Sequence, residues 1–143
     1  MKIKEINRFS LRIFSAVLKL LPQLDPGAIL PTEKHFKRIL ESERTHLFIV
    51  EIDQNRIAGM LTIATYDIPT GIKAWIEDVV IDESQRGKGY GRELMLYAIK
   101  FAESIGAEAI ELTSRPSRIS ANHLYQKLGF VIRETNLYKF YLK

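Results

Sequence analysis

Cysteine is absent from the 143 residues, which excludes disulfides, thiolate metal sites and a covalent acyl-cysteine intermediate. No apolar run approaches the ~20 residues that span a bilayer. Residues 9–21 come nearest, but Arg12 and Lys19 interrupt them and Pro22 follows without a small-residue cleavage site. They read as an amphipathic helix rather than a signal peptide, so the expected location is cytoplasmic, with no membrane partner. Neither sign of charge dominates: the formal net charge is +4. That balance suits anionic ligands, yet no basic stripe interleaved with aromatics occurs, so nucleic acid is not expected. His35, His46 and His123 are too scattered to suggest a metal site. No internal repeat, low-complexity tract or linker divides the chain, and 1–143 reads as one domain.

What is present is an ordinary soluble composition, 46% apolar and 27% charged. Lys2–Ile6 alternates and predicts a short strand. From Arg8 to Leu21 the apolar positions Phe9, Ile13, Val17, Leu20 and Leu21 form a helical stripe that Pro22 is expected to end. Thr32 predicts the N-cap of a second helix through Leu40. His46–Ile52 and Ile57–Tyr66 flank a hairpin signal, and Lys73–Ile81 completes an antiparallel meander. Gly89–Ile105 predicts a helix with Leu94, Ala98, Phe101, Ala102 and Ile105 inward, stopped by Gly106. Ala109–Thr113 then reads as a parallel strand, and Ser120–Leu128 as a short helix. Phe130–Arg133 and Leu137–Leu142 read as a last strand pair whose exposed edge offers a homodimer contact. The fold class is α/β, with a mixed antiparallel and parallel sheet flanked by about four helices.

Residues 79–91 (Val-Val-Ile-Asp-Glu-Ser-Gln-Arg-Gly-Lys-Gly-Tyr-Gly) are the most informative stretch. An apolar strand runs through a polar loop into three alternating glycines that open a helix. Glycines let successive N–H groups converge, because no Cβ blocks a ligand's approach. The helix adds unpaired N–H groups and its positive dipole end. Arg86, Lys88 and Arg92 bring cations nearby, and the whole reads as a phosphate or pyrophosphate site. A nucleotide P-loop needs an upstream glycine and a hydroxyl after the lysine, and Gly87-Lys88 has neither. A dinucleotide fingerprint would place its third glycine at position 92, where Arg92 stands.

Arg86-Gly87-Lys88-Gly89-Tyr90-Gly91 matches the signature Arg/Gln-x-x-Gly-x-Gly/Ala, and Asn122 to Phe130 matches Asn-x-x-Tyr-x-x-x-Gly-Phe. In these blocks and in element order the chain resembles the GNAT superfamily of acetyl-coenzyme A-dependent N-acetyltransferases, specifically from about Trp75 to Phe130. The resemblance implies a fold of that type and acetyl-coenzyme A as co-substrate, without a metal. It implies main-chain contacts to the pyrophosphate from Arg86, Gly87, Lys88, Gly89, Tyr90 and Gly91, with Lys88 and Arg92 as charge partners. Val79, Val80 and Ile81 would pair with the pantetheine arm in a strand carrying a bulge and splayed from its neighbour. An N–H near Val79 would polarise the thioester carbonyl.

The resemblance makes Tyr125 the candidate acid for the departing thiolate, since a phenol of pKa ~10 is protonated at neutral pH while the thiol's own pKa is ~8.5. Asn122, one turn earlier, would contact the coenzyme together with Tyr125, or else serve as a capping residue. Glu77 and Asp78 are candidate bases. A regular strand sends them to opposite faces, so one alone faces the cleft unless a bulge intervenes. Histone-type relatives carry a glutamate where this chain has Trp75. The two helices from Arg8 to Leu40 would form much of the acceptor site, where Leu24, Ile29 and Phe36 either line an apolar pocket or pack the helices, packing being the favoured reading. The expected activity is direct transfer of acetyl from acetyl-coenzyme A to a primary amine of a small molecule or protein, within a ternary complex. The alternative is a non-catalytic coenzyme A-binding sensor or interaction module of the same fold, which would not need Tyr125.

Overall fold

β-Branched and aromatic runs build a five-stranded sheet in the computed structural model, which describes residues 1–143. The strands are β1 (Lys2–Ile6), β2 (Thr45–Ile52), β3 (Arg56–Ile68), β4 (Gly71–Ile81) and β5 (Ile110–Glu111), and they lie in sequence order. Neighbours from β1 to β4 are antiparallel, and β4 with β5 is parallel. Helices α1 (Leu11–Leu24), α2 (Glu33–Glu41) and α3 (Tyr90–Ser104) complete the first of two compact units, Met1–Thr113. The second unit, Ser114–Lys143, contains α4 (Ile119–Lys127). No helix is long and apolar enough to cross a membrane.

Both sheet faces are covered, which is why Leu47 through Val50 are all buried instead of alternating. On one face, Ile13, Val17 and Leu20 of α1 and Phe36 and Leu40 of α2 share a core with Leu47, Ile49 and Met60. Phe9, Phe14 and Phe36 cluster there with ring centroids 5.3–6.2 Å apart. On the other face α3 buries Leu94, Met95, Ala98 and Ala102, and Phe101 lies 5.1 Å from Phe48. The α3 stripe expected from sequence is therefore present, with Met95 added.

Glu51 is a buried carboxylate within this frame. Lys4 of β1 and Arg12 of α1 both donate to it, tying three elements together. The Lys4 hydrogen bond, outweighing burial, and then that of Arg12 hold its pKa below the ordinary glutamate value.

Three elements differ from expectation. α1 begins at Leu11, because the Ser10 hydroxyl accepts the Ile13 N–H (3.2 Å) as an N-cap. It also runs past Pro22 to Leu24. Proline removes one intrahelical donor, but Asp25 N–H closes the last turn on Leu21 O (3.0 Å) and the apolar stripe holds the helix down. β5 is only two residues, paired as Ala74 with Ile110 and Trp75 with Glu111. The expected last strand pair, Phe130–Arg133 with Leu137–Leu142, does not form, so the sheet has five strands and the anticipated dimer edge is absent. Alternation supplies propensity but no ladder, and an isolated two-stranded pair is marginal in water. Thr135 N–H instead turns back locally to Arg133 O (3.1 Å). Ile132, Tyr138, Phe140 and Leu142 are each more than 80% exposed.

Gly59 permits the close approach of β3 to β4. A Cβ there would lie 2.4 Å from Ile81 Cδ1 and 2.8 Å from the Val80 carbonyl oxygen, which is backbone and cannot rotate away. Gly59→Ala is expected to cost about 1–3 kcal/mol in denaturant unfolding. Glu51→Gln should cost about 1–2 kcal/mol at neutral pH, the partners being half-exposed. Because folding lowers the Glu51 pKa, that stabilisation is present above the ordinary glutamate value and is lost as pH falls through the folded one. Unfolding free energies of the wild type and of Glu51→Gln, measured against pH, should therefore converge in acid.

Candidate functional site

β4 carries one residue too many for its partner. Thr62 pairs with Glu77 and Met60 with Val80, so Leu61 alone faces both Asp78 and Val79. The bulge is absorbed at Asp78, whose φ of 50° is in the left-handed region that aspartate tolerates better than a β-branched residue. Alternation is broken as a result. Glu77 sits opposite Thr62, and Asp78 lines the same pocket as Thr62. The two adjacent carboxylates thus address one side of the sheet. Both keep a solvent-facing side, yet burial raises the Asp78 pKa, and burial and then the Asp78 charge raise that of Glu77.

Immediately beyond Trp75, β4 parts from β5. Pairing on that side stops at Trp75–Glu111, so Ile76–Ile81 runs on without a neighbouring strand there. The parted edge includes the main chain of Val79, Val80 and Ile81. The Val80 side chain is buried, which leaves only its backbone for a ligand.

The loop after Ile81 is anchored by polar side chains. Asp82 accepts from the Ser84 N–H (2.9 Å) and hydroxyl (2.7 Å), and the Ser84 hydroxyl is the largest cause of its lowered pKa. Gln23 of α1 accepts the Glu83 N–H (2.8 Å), and Arg86 Nε donates to Ile81 O (3.1 Å). Gln85, only 5% exposed, donates to Ser84 Oγ (3.2 Å) and accepts from Lys88 Nζ (2.9 Å). Gly87 and Gly89 have φ of +76° and +83°, and a Cβ at either would meet nothing within 4 Å. Conformation demands glycine at these positions, and the space outside them is open. Gly89 is also the N-cap of α3 and offers no side-chain acceptor, so the N–H groups of Tyr90, Gly91 and Arg92 open the helix without a side-chain cap. This cradle fits a pyrophosphate. Its donors are mainly backbone, because Arg86 and Lys88 are engaged within the loop and Arg92 is 3.0 Å from Glu93.

On the α1–α2 face, a pocket of about 480 Å³ leads to Asp78. Val17 and Leu21 of α1, Phe36 and Ile39 of α2, and Leu47 and Met60 of the sheet wall it. Ala28, Ile29, Leu30 and Pro31 close it from the interhelical loop, and its polar side chains are Thr32, His35, Thr62 and Asp78. Of the two roles read for Ile29 the structure bears out the pocket one rather than the favoured packing one: it is 97% exposed and lines this pocket. Phe36 serves both purposes, and Leu24 packs against the core as expected.

In the second unit, Asn122 and Tyr125 are one turn apart on α4. The Asn122 side-chain amide donates to Arg115 O (2.9 Å), which ties α4 to the preceding loop but caps none of the helix N–H groups. The Tyr125 ring lies 6.0 Å from Phe130. Burial raises the phenol's pKa against the opposing charge of Arg118, which keeps it protonated at neutral pH. Sequence reasoning missed Gln23 and Gln85, whose polar character carries no periodic signal, and Gly59, an isolated glycine inside a strand pattern.

Comparison with known proteins bears on the family and the fold. The family model described as Acetyltransferase (GNAT) family matches residues 14–130. YvbK of Bacillus subtilis (strain 168), an uncharacterized N-acetyltransferase, is 41% identical over 58 residues, 41% of this chain and 37% of that one. The N-alpha-acetyltransferase MAK3 of Arabidopsis thaliana is 30% identical over 96 residues, 67% of this chain and 50% of that one. The chain thus spans half or less of the length of these two relatives. The crystal structure of the aminoglycoside acetyltransferase meta-AAC0020, from an uncultured soil metagenomic sample, superposes with a TM-score of 0.86 at 19% identity. That match covers 99% of this chain and 95% of that one, and the fold is of the GNAT type.

The raised pKa of Asp78 means that its ionised form costs the folded state stability above the folded pKa. Asp78→Asn, which keeps the left-handed backbone accessible, should therefore raise the denaturant midpoint at neutral pH. The gain should stay below about 1 kcal/mol because solvent screens the group. It should shrink as pH falls toward the ordinary aspartate value of about 3.9.

Proposed function

Because the chain belongs to the acetyltransferase (GNAT) family, we propose that it moves an acetyl group directly from acetyl-coenzyme A to a primary amine, with residues 1–143 working as one catalytic domain. The observation that carries this reading is the bulged, parted β4 running into the open glycine cradle at the start of α3. The coenzyme supplies the thioester carbonyl and a thiol leaving group. The amine nitrogen bonds to the carbonyl carbon, and the carbon–sulfur bond breaks.

The chain's own groups bind, orient and move protons. Main-chain N–H groups from Arg86 to Gly91 hold the pyrophosphate, each helix-terminus contact contributing roughly 0.3–2 kcal/mol. Val79, Val80 and Ile81 offer backbone to the extended arm, as an additional strand would be received. Asp78 takes the proton that the attacking amine must lose, and Glu77 beside it reinforces the negative field. The pocket favours Asp78 for this role, since Asp78 lines it and Glu77 does not, while burial raises the pKa and so the basicity of both carboxylates. Tyr125 returns a proton to the departing thiolate. A relay through an enzyme nucleophile has no support, as the chain has no cysteine and no Gly-x-Ser-x-Gly elbow.

Calorimetry with acetyl-coenzyme A should give saturable binding, weakened about tenfold in Gly89→Ala, where a methyl group enters the cradle from a left-handed backbone. Tyr125→Phe should lower kcat about 10–100-fold while leaving coenzyme affinity within about twofold. Binding without thiol release from any amine would instead identify a sensor of the same fold.

A further inference from the structure

We propose that the pocket between α1, the interhelical loop, α2 and β4 takes a small monoamine carried on an apolar body, with its amino group held at Asp78. This rests on the acetyltransferase reading and names the acceptor class for it. Of the 14 residues around the pocket, polar side chains come only from Thr32, His35, Thr62 and Asp78. An aminoglycoside or sugar amine would bring many hydroxyls and several ammonium groups to walls that can pair few of them, and each unpaired polar group would be desolvated at a cost. A peptide amino terminus would bring main-chain N–H and C=O groups with the same difficulty. An alkyl or aryl group instead exchanges water for Val17, Leu21, Phe36 and Met60.

Charge points the same way. Asp78 is the one carboxylate lining the pocket, Glu77 standing on the same side of the sheet but outside the lining, which suits one ammonium within it, and the net charge of +4 does not attract polycations. The apolar walls also serve the chemistry. Desolvation lowers an amine's pKa and raises a carboxylate's, so the two converge and the proton passes to Asp78 more readily. The volume of about 480 Å³ is within the range of small-ligand sites. Ile29 stands 97% exposed on the loop that closes the pocket, an apolar side chain placed to be covered by such an amine.

The test uses the full chain. Calorimetry first measures acetyl-coenzyme A binding, and thiol release is then followed with an alkylamine series from butyl to octyl, phenethylamine, spermidine, kanamycin and a short peptide with a free amino terminus. The expected kcat/KM rises about fourfold per added methylene until the pocket is full, and phenethylamine exceeds spermidine, kanamycin and the peptide by at least about tenfold. Ile29→Asp, at a solvent-facing position that leaves folding intact, should lower kcat/KM for the apolar amines about tenfold without changing coenzyme affinity. A flat chain-length series, a preference for spermidine, kanamycin or the peptide, or no turnover of any amine despite coenzyme binding would each overturn the apolar-monoamine assignment. Failure to bind acetyl-coenzyme A would overturn the acetyltransferase reading beneath it.

Discussion

One register shift between β3 and β4 organises the functional face of this protein. Two residues of β4 stand against Leu61, and the left-handed Asp78 absorbs the surplus. A single extra residue has three consequences. It turns two neighbouring carboxylates toward the α1–α2 side, it adds twist at the point where β4 parts from β5, and it puts the pocket lined by Asp78 beside that opening. The shift is retained because its surroundings determine it. Gly59 brings the two strands within a distance that no other side chain permits, and Asp82 N–H continues the pairing onto Ala58 O at 2.8 Å.

The adjoining loop, proposed to receive a pyrophosphate, is shaped without relying on free cations. Its lysine and arginines are mostly occupied with the loop itself, and their positive charge acts as background field. Shape comes from Gln23, Asp82, Ser84 and Gln85, which hold the turn so that Gly87 and Gly89 present bare backbone outward. Preorganised main-chain donors need little rearrangement when a ligand arrives, and that is a large part of their affinity. The α1–α2 pocket is different in character, with mainly apolar walls beside Asp78, an exposed carboxylate whose pKa partial burial raises.

Most elements of the first unit were legible because each depends on local chemistry. The Thr32 cap, the apolar stripe of α1, the hairpin before Arg56 and the glycines opening α3 all express short-range rules of torsion and periodicity. Misreadings arose where neighbours overrode such rules. Pro22 lies inside α1 because core contacts and the Asp25–Leu21 bond outweigh one lost donor. Alternation in Phe130–Leu142 suggested paired strands, but strand propensity has no structural effect until a ladder partner is present.

By itself, then, the order of amino acids determined the main helices, the antiparallel meander and the glycines that open α3, since these rest on backbone stereochemistry and periodicity, while resemblance to a family supplied the candidate acid and bases. Tertiary structure alone decided that Glu77 and Asp78 share a side, that Ile29 borders a cavity, and that Gln23 reaches across 60 positions to fasten the loop at Glu83. Those outcomes depend on contacts between residues far apart in the chain, and neither spacing nor composition encodes a distance in space.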